Sequence, residues 1–151
     1  MTTLNTGDKA PDFCGADQNE NNICLSDFKG KKLVLYFYPK DSTPGCTAEA
    51  CSLRDSYGAL QARGYAILGI SPDSVKSHAN FIKKNNLPFS LIADTDKVIA
   101  ESYGVWGEKK MYGKTYMGIL RTTFLIDENG IIEEVISKVD TKNHGEQILK
   151  E

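Results

Sequence analysis

Two cysteines, Cys46 and Cys51, lie five residues apart where an apolar stretch gives way to a helical pattern. Cys46 follows the sequence Thr43-Pro44-Gly45, in which Thr43 is a candidate N-cap and Pro44 a candidate first helical residue. A helix N-terminus carries partial positive charge and free N–H donors, which favour an anion and so a thiolate over a thiol. The pattern predicts a nucleophilic sulfur at Cys46 with a second thiol close by.

The chemistry expected of such a pair is thiol oxidation. A peroxide oxidises a thiolate to sulfenic acid, and a second thiol can convert that product to a disulfide before irreversible over-oxidation. Cys51 would then resolve the sulfenic acid on Cys46, and a dithiol reductant would restore both thiols. These residue types therefore predict a reversible redox cycle.

The spacing of the two cysteines restricts when they can bond. In one regular helix, a separation of five residues gives a rise of about 7.5 Å and Cα atoms roughly 8 to 9 Å apart. A disulfide generally needs Cα atoms closer than about 7 Å. Either the pair never bridges, or the first helical turns unwind after Cys46 has reacted. Cys46 shares a stripe with Ala50 and Leu53 and should face the core, whereas Cys51 points about 140° away.

Composition limits the classes of function. The chain has 151 residues, which suits a single domain (1–151) with a substantial core. Its 18 basic and 20 acidic residues give a formal net charge of -2, which predicts no nucleic-acid or anionic membrane partner. The first residues contain no apolar signal core, and the apolar run at 33–38 is too short to cross a bilayer. We expect a soluble, cytoplasmic protein that acts on small molecules or other proteins.

Strand-like and helix-like segments alternate along the chain. A predicted edge hairpin at 13–25 leads to a short turn at 26–30, capped by Ser26, and then to a buried strand at 32–38. Further strands are predicted at 65–70, 89–93, 119–126 and 131–136, and helices at 44–63, 74–82, 96–103 and from 141, with a glycine-containing loop at 104–118. This order indicates an α/β thioredoxin-like fold, with a mixed central β-sheet flanked by helices and an N-terminal β-hairpin.

Four other cysteine and histidine residues receive no role from the sequence. Cys14 and Cys24 flank the turn of the predicted hairpin and could face each other, but spacing alone does not set the register. His78 lies with an apolar helical face and His144 lies in the tail, where a lone histidine more often packs or is solvated than binds a ligand.

Several segments resemble a known family. The pattern Pro39-x-x-x-Thr43-x-x-Cys46 is similar to the active-site motif of the peroxiredoxins. The run Gly45-Cys46-Thr-Ala-Glu49-Ala-Cys51-Ser-Leu-Arg-Asp resembles their bacterioferritin comigratory protein (peroxiredoxin Q) subfamily. Segments 7–13, 103–110 and 121–127 add to the likeness, which covers nearly the whole chain.

The resemblance implies a thiol peroxidase that reduces hydrogen peroxide and organic hydroperoxides. Cys46 would attack the peroxide, and Thr43 would hydrogen-bond the thiolate and the bound peroxide. Pro39, which cannot donate a hydrogen bond, would shape and shield the pocket. Arg121 would stabilise the thiolate and the developing charge, since guanidinium stays cationic and offers fixed donors. Glu49 would help to orient that arginine.

The resemblance also implies the rest of the cycle. Family members with a second cysteine at this spacing are typically monomers that form an intramolecular disulfide and are reduced by thioredoxin. We therefore expect a Cys46–Cys51 disulfide, a monomeric enzyme, thioredoxin or another dithiol as reductant, and neither a cofactor nor a metal ion.

Other interpretations remain open. Cys46 could be an inert core residue, Thr43 only an N-cap, Pro39 only a strand terminator and Arg121 an ordinary surface cation. A copper carrier that uses two thiolates and a histidine is the main alternative to an enzyme. A redox-sensing adaptor with the same thiol chemistry is another.

Overall fold

A mixed seven-stranded sheet organises the chain. The computed structural model describes residues 2–150. The strands are β1 (Cys14–Ala16), β2 (Asn22–Cys24), β3 (Lys32–Phe37), β4 (Tyr65–Ser71), β5 (Ser90–Ala93), β6 (Trp106–Met111), β7 (Lys114–Ile119), β8 (Thr122–Ile126) and β9 (Ile132–Ile136). The sheet order is β2-β1-β5-β4-β3-β8-β9, and β6 pairs with β7 in a separate ribbon. Because β3 pairs in parallel with β4 and antiparallel with β8, the predicted mixed sheet is confirmed.

Helices cover both faces of this sheet. They are α1 (Pro44–Asp55), α2 (Tyr57–Ala62), α3 (Val75–Asn85), α4 (Val98–Ser102) and α5 (His144–Leu149). Alternate side chains of β3 enter two separate cores, with Leu33, Leu35 and Phe37 on one face and Val34 and Tyr36 on the other. The α/β thioredoxin-like class is therefore as predicted. Within residues 2–150 there is no helix of the length and hydropathy needed to span a membrane.

The predicted helix at 44–63 is wrong as a single element. It is interrupted at Ser56, where α1 ends and α2 begins. The C-terminal helix α5 docks at this interruption, since Gly145 N donates to Ser52 Oγ at 3.0 Å. A Cβ atom on Gly145 would lie only 2.2 Å from Ser56 Oγ, so glycine permits this close approach. The contact fixes α5 against α1, the helix that carries both Cys46 and Cys51.

The predicted loop at 104–118 is also wrong, because β6 and β7 form an antiparallel hairpin there. Its two turn residues, Tyr112 and Gly113, have φ angles of 53° and 77°, the positive values of a type I′ turn. The predicted strand at 119–126 is also not a single element, since β7 ends at Ile119 and β8 begins at Thr122. The gap leaves Arg121 at a bend rather than within a strand.

The N-terminal hairpin forms as predicted, with β2 at the outer edge of the sheet. Ser26 is not a cap, however, because the short 3₁₀ turn begins at Leu25 and contains Ser26. Cys14 and Cys24 are direct cross-strand partners and form a disulfide, with Cα atoms 4.0 Å apart. The register that spacing could not determine therefore brings these two sulfurs together.

Candidate active site

Cys46 lies in the first turn of α1 with its side chain in the core. Thr43 occupies the N-cap position and Pro44 follows it, so Cys46 is the third helical residue. Its exposure is 1%, and it packs in the core that contains Ala50 and Tyr36. The predicted inward orientation is confirmed, and the sulfur is placed close to the free N–H groups of the helix start.

Arg121 links Cys46 to Glu49. Its Nη2 atom donates to Cys46 Sγ at 3.3 Å, and its Nη1 atom donates to Glu49 Oε1 at 2.5 Å. The fork geometry of guanidinium allows one side chain to bind both acceptors. Arg121 reaches them from the bend before β8, a strand that pairs with β3 beneath α1. The tertiary structure thus brings a cation from late in the sequence onto the thiol.

Glu49 is fully buried beneath this arginine. Burial raises the pKa of Glu49 to about 7, although the charge and hydrogen bond of Arg121 act in the opposite direction. Its second oxygen, Oε2, has no hydrogen-bond partner and lies 3.7 Å from His144 Nε2. Glu49 can therefore hold a proton near neutral pH, directly behind the guanidinium that binds Cys46.

His144 is a neighbour of this site that the sequence analysis missed. Its Nδ1 atom lies 2.8 Å from Gln147 Oε1, and its Nε2 atom lies 2.7 Å from Thr123 Oγ1. Because the amide oxygen only accepts, Nδ1 donates and Nε2 accepts from the Thr123 hydroxyl. Burial lowers the pKa of His144, in keeping with a neutral ring. The predicted tail helix thus supplies part of the wall behind Glu49.

The raised pKa of Glu49 predicts a measurable pH effect on stability. A carboxyl group that binds its proton more tightly in the folded state stabilises fully below its unfolded pKa, and this stabilisation is lost as pH rises through the folded value of about 7. A rise from 4.5 to about 7 corresponds to about 3 kcal/mol at most. We expect the unfolding free energy of the native chain to fall by up to that amount between about pH 5 and pH 8, relative to Glu49→Gln.

Urea denaturation across that pH range measures the difference. The other groups facing Glu49 are Arg121, His144, Tyr36 and Cys46, and all are retained in the variant. The comparison therefore isolates the one carboxyl group. If the unfolding free energies of the two chains changed with pH in the same way, the raised pKa assigned to Glu49 would be wrong.

Thr43 and Pro39 border the loop between β3 and α1. Pro39 follows the end of β3 at Phe37 and is half-buried. The Thr43 hydroxyl donates to Lys40 O at 3.0 Å, while Thr43 makes no side-chain cap bond to the helix. Because its proton is engaged by Lys40, the hydroxyl oxygen of Thr43 is left to accept a hydrogen bond.

A buried polar cluster anchors the same loop. Asp41 Oδ1 accepts from Tyr38 Oη at 2.6 Å, and Asp41 Oδ2 lies 2.7 Å from His78 Nδ1. His78 Nε2 lies 2.9 Å from Ile92 O, so both ring nitrogens face an acceptor oxygen. Burial opposes ionisation of Asp41, but hydrogen bonds from His78 and Tyr38 hold its pKa below the usual range. The loop before Cys46 is thus fixed from α3, which the sequence did not indicate.

Lys109 approaches the site from the unpredicted ribbon. Its Nζ atom donates to Ile119 O at 2.9 Å, and its side chain lines a shallow depression with Arg121 and Thr122. Burial and the charge of Arg121 lower the pKa of Lys109. The β6–β7 ribbon therefore adds a second cation on the Arg121 side of the thiol.

Cys51 lies farther along the same unbroken helix. It is half-buried, and its Sγ atom contacts Asn85 Oδ1 at 3.8 Å. Both Cys46 and Cys51 are free thiols in this structure. The expected arrangement, with a shielded first thiol and a more exposed second thiol, is confirmed for the folded helix.

A thiolate metal site does not form among residues 2–150. The one group of three potential ligands there is Asp41, Asp73 and His78, and it contains no cysteine. Both ring nitrogens of His144 are engaged by Thr123 and Gln147. The geometry therefore gives the copper-carrier alternative no histidine free to join the two thiols.

The sequence matches one protein family and is similar to named bacterial proteins. The AhpC/TSA family matches residues 6–135. A protein of Haemophilus influenzae named putative peroxiredoxin bcp is 50% identical over 149 residues, covering 99% of this chain and 96% of the relative. Peroxiredoxin Bcp of Bacillus subtilis is 47% identical over 148 residues, covering 98% and 94%.

Solved structures give the same result for the fold. A peroxiredoxin Q structure from Xanthomonas campestris matches with a TM-score of 0.87 and 36% identity, covering 99% of this chain and 94% of that chain. A cysteine-to-serine mutant of PrxQ from Xylella fastidiosa matches with a TM-score of 0.92 and 34% identity, covering 99% and 96%.

Proposed function

We propose that Cys46 is the peroxide-reducing thiol of this chain, which belongs to the AhpC/TSA family and is a peroxiredoxin of the Bcp (peroxiredoxin Q) type. The observation that carries the proposal is the pair of hydrogen bonds that Arg121 donates to Cys46 Sγ and Glu49 Oε1. A guanidinium on the sulfur favours the thiolate, which is the nucleophilic form. The other elements of the site surround this contact.

In the first step, Cys46 Sγ attacks one oxygen of the peroxide. A sulfur–oxygen bond forms, the oxygen–oxygen bond breaks, and the second oxygen leaves as an alkoxide or hydroxide that takes up a proton. Arg121 donors stabilise the charge that passes from the sulfur to the leaving oxygen. Thr43 Oγ1, whose own proton is held by Lys40, accepts a hydrogen bond from the peroxide. Pro39 shields the thiol, and Glu49 holds Arg121 in position.

In the second step, Cys51 resolves the sulfenic acid. Its thiolate attacks Cys46 Sγ, a sulfur–sulfur bond forms as the sulfur–oxygen bond breaks, and the hydroxide that leaves takes up the proton lost by the Cys51 thiol to become water. Both residues lie in α1, where regular geometry keeps Cα atoms at this spacing roughly 8 to 9 Å apart. The early turns of α1 must therefore unwind before the bond can close. The docking of α5 at Ser52 and Ser56 supports unwinding from the N-terminal end of α1.

Recycling belongs to the same proposal. A dithiol protein such as thioredoxin attacks the Cys46–Cys51 disulfide and restores both thiols. We propose a single-domain enzyme that works as a monomer in the cytoplasm, where it reduces hydrogen peroxide and organic hydroperoxides for antioxidant defence. The nearly balanced charge of the chain supports small-molecule and protein partners over nucleic acid or a membrane.

Disulfide mapping tests the assignment of both cysteines. After reaction of the reduced chain with a single equivalent of hydrogen peroxide, we expect a Cys46–Cys51 disulfide in peptide maps. Cys51→Ser should react with peroxide at the native rate, because it retains Cys46 and Arg121. It should then accumulate sulfenic acid and lose turnover coupled to thioredoxin and its reductase. A slow first reaction in Cys51→Ser, or a different disulfide in the native chain, would reject these roles.

A further inference from the structure

A second cysteine pair lies on the N-terminal hairpin. Cys14 in β1 and Cys24 in β2 are direct cross-strand partners and are bonded to each other. Cys14 is exposed and Cys24 is half-buried, so a partner molecule can reach the bond. Cys46 and Cys51 are free thiols in the same structure. The folded chain therefore holds the hairpin cysteines as a disulfide while the active-site cysteines are free thiols.

The two pairs respond to folding in opposite ways. The antiparallel register makes Cys14 and Cys24 direct cross-strand partners, and the folded chain holds them in a disulfide. Helix α1 holds Cys46 and Cys51 apart, so the native fold disfavours theirs. In thiol–disulfide exchange, two electrons move toward the pair whose disulfide is less favoured. They therefore move from the hairpin thiols to the active-site disulfide.

This transfer needs two molecules. In the sheet, β1 is separated from β3 by β5 and β4, which corresponds to about 14 Å at the usual strand spacing. Helix α1 packs on the face of the sheet that carries Tyr36 and Tyr38. Three strand spacings thus separate the hairpin from β3, the strand whose Val34 and Tyr36 share a core with Cys46, so the hairpin sulfurs do not contact Cys51 in the folded chain.

The surfaces around the two pairs carry opposite charges. Asp12 lines the shallow depression that contains both hairpin cysteines, and the exposed Asp27 accepts from Cys24 N at 2.8 Å. Near Cys51, Arg54 donates to the carbonyl of Asn85, the residue whose side chain contacts the Cys51 sulfur, and it also pairs with the exposed Asp55. Lys83 and Lys84 lie in the last turn of α3, beside Asn85. An acidic rim on one copy thus complements a basic rim on another.

We propose that Cys14 and Cys24 form a second redox couple that passes two electrons to the oxidised active site of a second copy of the chain. The proposal rests on the proposed roles of Cys46 and Cys51. A hairpin thiolate attacks a sulfur of the Cys46–Cys51 bond, which breaks as a mixed disulfide forms. The second hairpin thiol closes the Cys14–Cys24 bond, and the two protons lost from the hairpin thiols restore both active-site thiols. Each chain can thereby reduce a second peroxide before an external dithiol is needed.

Peroxide stoichiometry without any reductant tests this proposal. The four thiols of the chain are first reduced with a small dithiol, the dithiol is removed without air, and hydrogen peroxide is added in small portions. We expect two equivalents of peroxide consumed per native chain and one per Cys14→Ser/Cys24→Ser chain, with an unchanged first phase in the variant. The second phase should accelerate with protein concentration because it needs an encounter between copies. Peptide maps should show the Cys14–Cys24 disulfide increasing during that phase.

The matched variants separate the possible outcomes. Cys14→Ser alone should also consume one equivalent, because a single hairpin thiol cannot close the bond. Consumption of only one equivalent by the native chain would overturn this proposal and leave the active-site roles intact. Consumption of one equivalent by Cys46→Ser would overturn it as well, since the hairpin would then react with peroxide directly. No consumption by the native chain would instead reject the proposed function itself.

Discussion

Replacement of Cys46 by serine is expected to abolish peroxide reduction. The serine hydroxyl stays protonated at neutral pH and lacks the nucleophilicity of a thiolate, although it occupies nearly the same volume. Loss of an enzyme nucleophile commonly costs about 10⁴-fold or more in rate. We expect a decrease of at least that size for Cys46→Ser, measured as peroxide consumed in the assay coupled to thioredoxin and its reductase.

The control for this variant is Cys14→Ser, which removes a thiol that lies on the hairpin rather than in α1. It should retain the native rate when an external reductant is supplied. A Cys46→Ser enzyme within about tenfold of the native rate would contradict the assignment of Cys46, because another residue would then have to react with the peroxide.

Replacement of Arg121 by alanine is expected to give the second largest loss. It removes both donors that hold Cys46 Sγ and Glu49 Oε1, which leaves the thiol without a cation in contact. Removal of a single charge-stabilising donor typically lowers the rate by about 10² to 10³. We expect a decrease of that order in the rate constant for the first peroxide reaction, measured by stopped-flow in a single turnover.

The same substitution should destabilise the fold in a pH-dependent way. Burial raises the pKa of Glu49 to about 7 against the opposing effect of Arg121, so loss of Arg121 raises this pKa further and costs most stability above about pH 7, where the native pair is ionised. We expect a loss of about 1–3 kcal/mol at pH 8 and a smaller loss at pH 6, measured by urea denaturation.

Two further arginine variants sharpen this test. Arg121→Lys should recover part of the rate, since it keeps the charge but cannot bind two acceptors through a planar fork. Arg63→Ala removes an exposed arginine that donates to Leu149 O at the end of α5 rather than to Cys46 or Glu49, and it should leave the peroxide reaction unchanged. An Arg121→Ala enzyme with the native single-turnover rate would contradict the catalytic role of the guanidinium.

Local sequence patterns predicted the elements that carry the thiols. The apolar run at 32–38 was recognisable as a buried strand, and Thr43-Pro44-Gly45 was recognisable as a helix start, because both signals depend on neighbouring residues. Helical periodicity likewise placed Cys46 toward the core and Cys51 away from it. The ribbon of β6 and β7 escaped prediction because its strands are largely polar and exposed, with a turn at Tyr112 and Gly113 that lacks the common Asn-Gly signal.

Site residues whose partners are distant in the sequence are harder to predict from local sequence patterns. Arg121 and Glu49 were identified by their resemblance to family positions, since nothing in their spacing of 72 residues indicates that they touch. Asp41, His78 and His144 carry no local signal that places them at the site. A single polar residue among apolar neighbours does not reveal its hydrogen-bond partner, because that partner comes from another part of the chain.

One short segment of the chain is enough to predict the helix start at Cys46, the distance along α1 to Cys51 and the chemistry that two thiols can perform. These properties are local, because they follow from residue type and from the geometry of one helix. The packing of distant segments sets which charges surround the thiol and which cysteines form a bond. Strand order brings Arg121 over Cys46, docking of α5 places His144 behind Glu49, and hairpin register joins Cys14 to Cys24. Such contacts depend on how distant segments pack together, and short-range patterns do not encode that packing.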